Sequence, residues 1–347
     1  MTSNARELAQ IPSTPSGRRN LIINGAMQVS QRGKTAFSVT NGTAGFAADR
    51  WFLANVSGST QSADNSTTIP TGFSNSFQLD VANAVSSPAS GAYAYIGHKI
   101  EAQNLQHLNY GSSSAKQLTL SFYVRSPKTG THVVELFAQD GSRNVSATYT
   151  VNVADTWEEK SITFPADTGG TINNDNGSGI EILFWLMAGS DLSGGGSLNT
   201  SWATNPTGNT RVVGGVNVLD NASNNFYLTG VQLEVGSVAT EFEHRSYGEE
   251  LALCQRYFQT FSAAVGRTST GTPFGAFDIR PNMRAQPSVT RLANAVSSDE
   301  AGTTVTASFA NASALAAEAI QRVFYFNDTD TSGDQAAGGL GTLDAEL

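Results

Sequence analysis

Apolar and polar side chains alternate at period two through much of this chain, and that leaves few folds open to it. In the run QLTLSFYVRS, Leu118, Leu120, Phe122 and Val124 fall on one face while Thr119, Ser121, Tyr123 and Arg125 fall on the other. Val134, Leu136 and Ala138 precede the turn pair Asp140-Gly141, and Val145, Ala147, Tyr149, Val151 and Val153 follow it, which predicts an antiparallel hairpin. Ile162 and Phe164 form a shorter run, and Ile180, Ile182, Phe184, Leu186 and Ala188 a longer one that ends in the loop Gly189 to Arg211. Further strands are predicted at Leu21 to Val29, Arg50 to Val56, Phe77 to Val81, Ala94 to Ile100 and Phe226 to Val235. Strands at this spacing without intervening helices predict a mainly β fold, two packed antiparallel sheets of the jelly-roll kind.

The polar half of the alternation is made of small residues. Ser, Thr, Asn and Gly fill about 130 positions, whereas charged residues are 14% of the chain against a usual ~25%. This excludes coiled coils and charged disordered tails. The 20 cations against 29 anions give a net charge of −9, which disfavours binding to a phosphate backbone, so no nucleic-acid partner is expected. A lone Cys254 forbids an internal disulfide and a cysteine zinc cage. No apolar run approaches the ~18–20 residues that span a bilayer, and the opening MTSNARELAQ lacks the basic and apolar regions of a secretory signal, so neither membrane insertion nor signal-directed export is expected.

Residues 1–19, broken by Pro12 and Pro15, read as an extended arm, and 20–245 as the sandwich. At 246–262 the period changes. Ser246 and Glu249 match a capping box, and Leu251, Cys254, Tyr257, Phe258 and Phe261 follow at helical spacing, predicting an amphipathic helix of about 15 residues. Residues 263–347 predict a small β or α+β domain, with strands at Phe274 to Ile279, Ser288 to Leu292, Thr303 to Phe309 and Val323 to Phe326, and a helical turn at Ala312 to Ala319.

Four stretches carry a resemblance: NLIINGAMQVSQRG from Asn20, ADRWF from Ala48, TWEEKSITFPAD from Thr156, and YLTGVQLEVGSVATEFEHRSYGEELALCQRYFQ from Tyr227 to Gln259. Together they resemble phage and prophage tail-fibre or tail-appendage proteins with a carbohydrate-binding-module-like jelly roll. The last stretch is the most specific; it departs at Glu241, where that family usually has Pro, and the ending LDAEL also looks like the family's. The resemblance implies a virion structural protein assembled in the host cytoplasm, a homotrimer, joined to other tail proteins through its N-terminal arm.

Candidate binding residues follow from what a sugar needs: a flat aromatic face for its C–H side and amides or carboxylates for its hydroxyls. Trp202 lies in the polar loop SLNTSWATNPTGN, where Asn199, Asn205 and Asn209 supply amides, and Tyr110 in HLNYGSSS is a second aromatic candidate. Asp328, Asp330 and Asp334 imitate the opening of a calcium loop, but Gly339 stands where the closing bidentate Glu belongs, so the alternatives are a weak Ca²⁺ site and a solvated turn. No other cofactor is expected. ADRW and the set Glu234, Glu243, His244 and Arg245 read as packing and charge-assisted networks at the ends of strands. Gly33-Lys34-Thr35 has the tail of a phosphate loop without its first glycine, since Gln28 stands there. No nucleophile elbow, H-E-x-x-H or C-x-x-C occurs; carboxylate pairs for glycoside cleavage stay open, since two strands could bring, for example, Asp140 and Glu135 near one surface, and nothing in the sequence singles out a pair. The expectation is a non-enzymatic tail fibre that attaches to a host cell-surface polysaccharide. Its rivals are a head-decoration or adaptor protein that binds only virion proteins, and a polysaccharide depolymerase.

Overall fold

The computed structural model describes residues 18–33, 36–204, 208–266, 281–285, 287–291, 296–298, 304–306, 308–310, 325–327 and 336–347. These divide into two compact units, one formed by the chain up to Gln28 and Lys34–Arg245, the other by Val29–Gly33 and Ser246–Leu347.

The first unit is the two-sheet antiparallel sandwich. Its strands are β1 (Phe37–Val39), β2 (Thr43–Ala48), β3 (Trp51–Val56), β4 (Gln61–Ser66), β5 (Ser76–Asp80), β6 (Tyr93–Glu101) and β7 (Leu118–Arg125). They continue with β8 (Gly130–Ala138), β9 (Arg143–Val151), β10 (Glu158–Phe164), β11 (Ser178–Ala188), β12 (Ala203–Thr204) and β13 (Asn225–Val235). A six-stranded sheet runs in the order β1-β4-β5-β13-β7-β10 and a seven-stranded sheet in the order β12-β9-β8-β11-β6-β3-β2. The alternation decides which side chains meet between them. Leu118, Leu120, Phe122 and Val124 from one sheet join Val134, Leu136, Ile180, Ile182 and Phe184 from the other in a single buried cluster.

The strand predicted at Leu21 to Val29 is not there. Ile22, Met27 and Val29 are buried, but so are Asn24, Gly25 and Ala26 in succession, and Asn24 and Met27 take left-handed φ of 59° and 56°, which breaks a ladder. Two backbone bonds to β13 remain, from the Leu21 amide to the Leu233 carbonyl and from the Val231 amide to the Gly25 carbonyl (2.9 Å each), and side chains add to them. The Asn20 carboxamide oxygen accepts from the amides of Ile22 (2.9 Å) and Leu233 (3.1 Å), Asn24 donates to the Asp49 carbonyl (2.9 Å), and the Trp51 indole donates to the Asn24 carbonyl (2.9 Å). The expected polar network lies at the same place. Glu243 accepts from the backbone amides of Arg19 (3.3 Å) and Asn20 (2.8 Å), and Arg245 donates to the Ile22 carbonyl (2.9 Å) and pairs with Glu243 (3.3 Å). Here His244 is exposed and lies against the rings of Phe73 and Phe242.

His98, in contrast, is fully buried against Trp51, with ring centroids 4.8 Å apart. Its Nε2 lies 3.1 Å from the Ile23 carbonyl, which can only accept, so Nε2 carries the proton and the buried Nδ1 is bare. Burial first, and the Arg50 guanidinium second, hold its pKa well below the ordinary value. The unfolded chain therefore binds more protons than the fold once pH drops under about 6.5, so the stability is complete above that value and is lost as pH falls toward the depressed one. Urea midpoints at pH 7 and pH 5 check this: the drop should be smaller in His98→Gln than in the parent, and equal drops would remove His98 as the cause.

In the second unit the helix spans Tyr247–Gln255, nine residues, with the Ser246 hydroxyl accepting from the Glu249 amide (3.3 Å). The helix predicted over 246–262 is thus too long. Phe258 and Phe261 sit instead on a strand, Phe258–Gly266, paired antiparallel with Ala336–Asp344, because a partner strand supplies every ladder bond that a further helical turn would offer. Ser288–Arg291 pairs with the other edge of Ala336–Asp344. Two short ladders join Val296–Ser298 to Thr304–Thr306 and Ser308–Ala310 to Tyr325–Asn327. The strand predicted at Phe274 to Ile279 and the helical turn at Ala312 to Ala319 lie outside the described residues. Among the described residues no helix is long and apolar enough to cross a membrane.

Candidate functional site

The loop that carries Trp202 is held by its own polar groups. The Trp202 indole donates to the Pro165 carbonyl (2.8 Å), and its ring meets Tyr110 edge-on at 5.6 Å, both rings packing on the sandwich core. Burial pushes the Tyr110 phenol up, with the Asp167 carboxylate adding to it. Beside them Arg143 forks onto Asp167 (2.8 Å twice) and donates to the Thr204 hydroxyl (2.6 Å) and the Trp202 carbonyl (3.2 Å). The Asn199 amide is spent on the carbonyl and Oδ1 of Asn144 (3.0 and 2.9 Å). Asn209 serves through its backbone, whose carbonyl accepts from Gly195 (2.8 Å). The structure thus joins Trp202 with Tyr110, gives Asn199 a separate task, and finds for Trp202 the core that a polar loop does not announce. Asn205 lies outside the described residues, as do Asp328, Asp330 and Asp334. Among the described residues no group of three or more His, Cys, Asp or Glu is arranged to hold a metal ion.

A second concentration of rings lies on the outer face of the seven-stranded sheet, where alternation calls for polar residues. Tyr93 and Tyr95 point outward from β6, Glu181, Leu183 and Trp185 from β11, and Val133, Glu135 and Phe137 from β8, opposite to neighbours that enter the main core. The strands pair in register, Trp185 with Tyr95 and with Val133, which brings the rings side by side. Tyr93 and Tyr95 stack at 5.7 Å and 14°, and Trp185 meets Tyr95 edge-on at 5.1 Å. On the β3 side Gly97 makes room for Phe52, since a Cβ there would lie 2.5 Å from the Phe52 ring.

The loop after β11 forms one wall. A helical turn at Ser190–Ser193 brings Leu192 against this cluster, and Val212 and Leu198 add to it. Arg211 is fixed by two forces. Its guanidinium lies 5.2 Å from the Trp185 ring and 5.4 Å from the Phe137 ring, and its Nε and Nη2 reach Glu135 at 3.1 and 2.5 Å. Glu135 is fully buried and also accepts from the Trp185 indole (3.2 Å). Burial pushes its carboxyl up in pKa, opposed by Arg211 and the indole. Both Glu135 oxygens are spent on holding Arg211 and Trp185, so it positions the cleft and is not free to serve as a general acid. Asp140 is not part of this arrangement; it accepts from Asn173 (2.8 and 2.9 Å).

Tyr93, Tyr95, Phe137, Glu181, Leu183, Trp185, Leu192 and Arg211 enclose a cleft of about 210 Å³. Such a space is below the ~300–1,000 Å³ of pockets that engulf a ligand and has room for about one sugar-sized ring. Sequence reasoning passed over all eight residues. The signal was present in the outward positions of otherwise regular strands, where Tyr93, Tyr95, Phe137 and Trp185 stand in place of Ser or Thr.

No known family's sequence profile matches this chain, and no curated protein is similar to it in sequence. In fold it is similar to carbohydrate-binding-module-like jelly rolls and to a phage tailspike. One is the C-terminal family 22 carbohydrate-binding module of a Clostridium thermocellum protein, at TM-score 0.33 and 11% identity over 65% of this chain and 100% of that one. Another is a xylan-binding domain from Paenibacillus barcinonensis, at TM-score 0.30 and 11% identity over 65% and 100%. A third is the enzymatically active domain of a tailspike from bacteriophage CBA120, at TM-score 0.31 and 14% identity over 62% of this chain; the match spans 21% of the tailspike chain.

Proposed function

We propose that this chain is a non-enzymatic virion protein, a phage tail fibre, that attaches to a host cell-surface glycan through the cleft between β6, β11 and the Arg211 loop. The observation that supports this reading is the cleft itself. Half-buried aromatic faces, Tyr93, Tyr95 and Phe137, offer the flat apolar surface that a pyranose C–H face needs. Glu181 and Arg211 at its edge supply an acceptor and a donor for ring hydroxyls. Strands carry the rings, so they are set before a ligand arrives and little ordering entropy is lost on binding. A single-ring grip is weak, and presentation of several copies, as in a trimeric fibre, raises it by avidity.

Glycan-array binding of the full chain, followed by titration of the best saccharide, tests the proposal. Tyr95→Ala should weaken binding by roughly thirtyfold, the ~2 kcal/mol of a central anchor. Trp202→Ala should lower the melting temperature and leave the affinity of the folded protein unchanged. Absence of saccharide binding in the parent would favour the adaptor reading, in which the sandwich contacts only other virion proteins.

A further inference from the structure

Resting on the glycan-binding reading and narrowing it, we propose that the cleft selects uncharged saccharides and turns away those bearing a carboxylate, sulfate or phosphate. The argument is the placement of charge around the rings. Two carboxylates, Glu181 at the edge and Glu135 beneath, are each already matched with a cation, Glu135 with Arg211 and Glu181 with Lys99. The charge of Arg211 is already spent, since Nε and Nη2 both engage Glu135 and leave Nη1 as a hydrogen-bond donor without surplus charge. Lys99 is the other nearby cation, and it is drawn aside: it pairs with Glu181 at 3.7 Å and leans over the Phe52 ring at 5.7 Å, outside the residues that enclose the cleft.

An anionic group entering this space would lose its hydration and meet no unpaired cation, which is costly in a half-enclosed site. A neutral sugar meets suitable partners instead. The Tyr93 and Tyr95 hydroxyls have no protein partner among the described residues and are not sealed from solvent, and Arg211 Nη1 joins them as a donor. Glu181 accepts from Ser178 through Oε1 (3.3 Å), leaving Oε2 to accept from a ligand hydroxyl. The Tyr95 phenol is pushed up chiefly by burial and then by the Glu181 carboxylate. The net charge of −9 adds a repulsion of the same sign at longer range.

Matched probes test this. Calorimetric titration of the full chain with mannohexaose and with hexamannuronate, which differ in the carboxylate, should show the neutral chain bound at least roughly tenfold more tightly. The same comparison between cellohexaose and β-1,4-linked hexaglucuronate, which again differ in the carboxylate alone, guards against a stereochemical accident. Glu181→Gln, with folding checked by thermal melt, should narrow the ratio of neutral to acidic affinity by roughly threefold or more, each affinity being measured in the same variant. Uronate binding equal to or tighter than neutral binding overturns the selectivity and leaves the glycan reading standing. An unchanged gap in Glu181→Gln also overturns it, because the discrimination then arises elsewhere. Failure of every saccharide, neutral or acidic, overturns both.

Discussion

Trp51→Ala is expected to cost about 3–5 kcal/mol of unfolding free energy, the range for deleting a large buried ring. Trp51 is fully buried, lies against His98 at 4.8 Å and Phe184 at 6.4 Å, and donates its indole proton to the Asn24 carbonyl. Alanine would open a cavity between the two sheets and leave that carbonyl without its donor, at the loop of residues 21–29, where side-chain bonds supplement two backbone bonds to β13. Trp51→Phe separates the two effects. It keeps most of the packing and loses the hydrogen bond, for about 1–2 kcal/mol. Urea unfolding read by far-ultraviolet circular dichroism measures both. A loss under about 1 kcal/mol for the alanine variant would show that the loop, and not the ring, carries the strain.

Glu135→Ala is the second large effect, expected at about 2–4 kcal/mol. Removing one member of a fully buried pair costs ~3–5 kcal/mol, because the other charge is left unpaired in a dry site. The lower figure applies because the Arg211 side chain keeps 23% of its surface in solvent and can turn outward, whereas Glu135 keeps none. The damage should reach the cleft as well as the stability. Without Glu135, both Arg211 and the Trp185 indole lose their acceptor, so the loop wall and the ring beside Tyr95 lose their setting together. Saccharide affinity should therefore fall along with the melting temperature. Glu135→Gln, which retains one acceptor oxygen, should recover part of both. Full saccharide affinity in a folded Glu135→Ala protein would remove the carboxylate from any positioning role.

Alternation carried the fold a long way. The inward residues of β7, β8, β9 and β11 are the ones that period two assigns to the core, apart from Val153, which is exposed beyond the end of β9, and the sandwich follows from them. In β13 an irregularity between Thr229 and Gln232 moves the inward set from Phe226 and Leu228 to Val231 and Leu233. Alternation failed at residues 21–29, where four successive residues, Asn24 to Met27, are buried and the Asn20 and Asn24 side chains supplement two backbone bonds to β13. It failed again at Phe258 and Phe261, where three- and four-residue spacing fits a helix and a paired strand about equally until the distant Ala336–Asp344 is known. The candidate site was the least legible part. Its residues come from segments as far apart as Tyr93 and Arg211, and only strand register reveals that Tyr95, Trp185 and Arg211 meet. The Trp202 loop attracted attention because an aromatic stood out among polar neighbours, and the contacts that occupy it, Pro165 and Tyr110, are remote in sequence.

The order of the six-stranded sheet, β1-β4-β5-β13-β7-β10, has a consequence for how the protein is made. β13 is the last of these strands in the chain, yet it sits between β5 and β7 and pairs with both. Until Asn225–Val235 leaves the ribosome, that sheet lacks its central strand and falls into two pieces, β1-β4-β5 and β7-β10, each with an open edge at the seam. The residues near Asn20 wait longer still, because their partner Glu243 emerges later again. Closure is thus a late, long-range step, slow by its topology. A ribosome stalled before Val235 leaves a chain whose seam edges are free to pair with those of its neighbours, and aggregation of such truncated products is the hazard this strand order builds in.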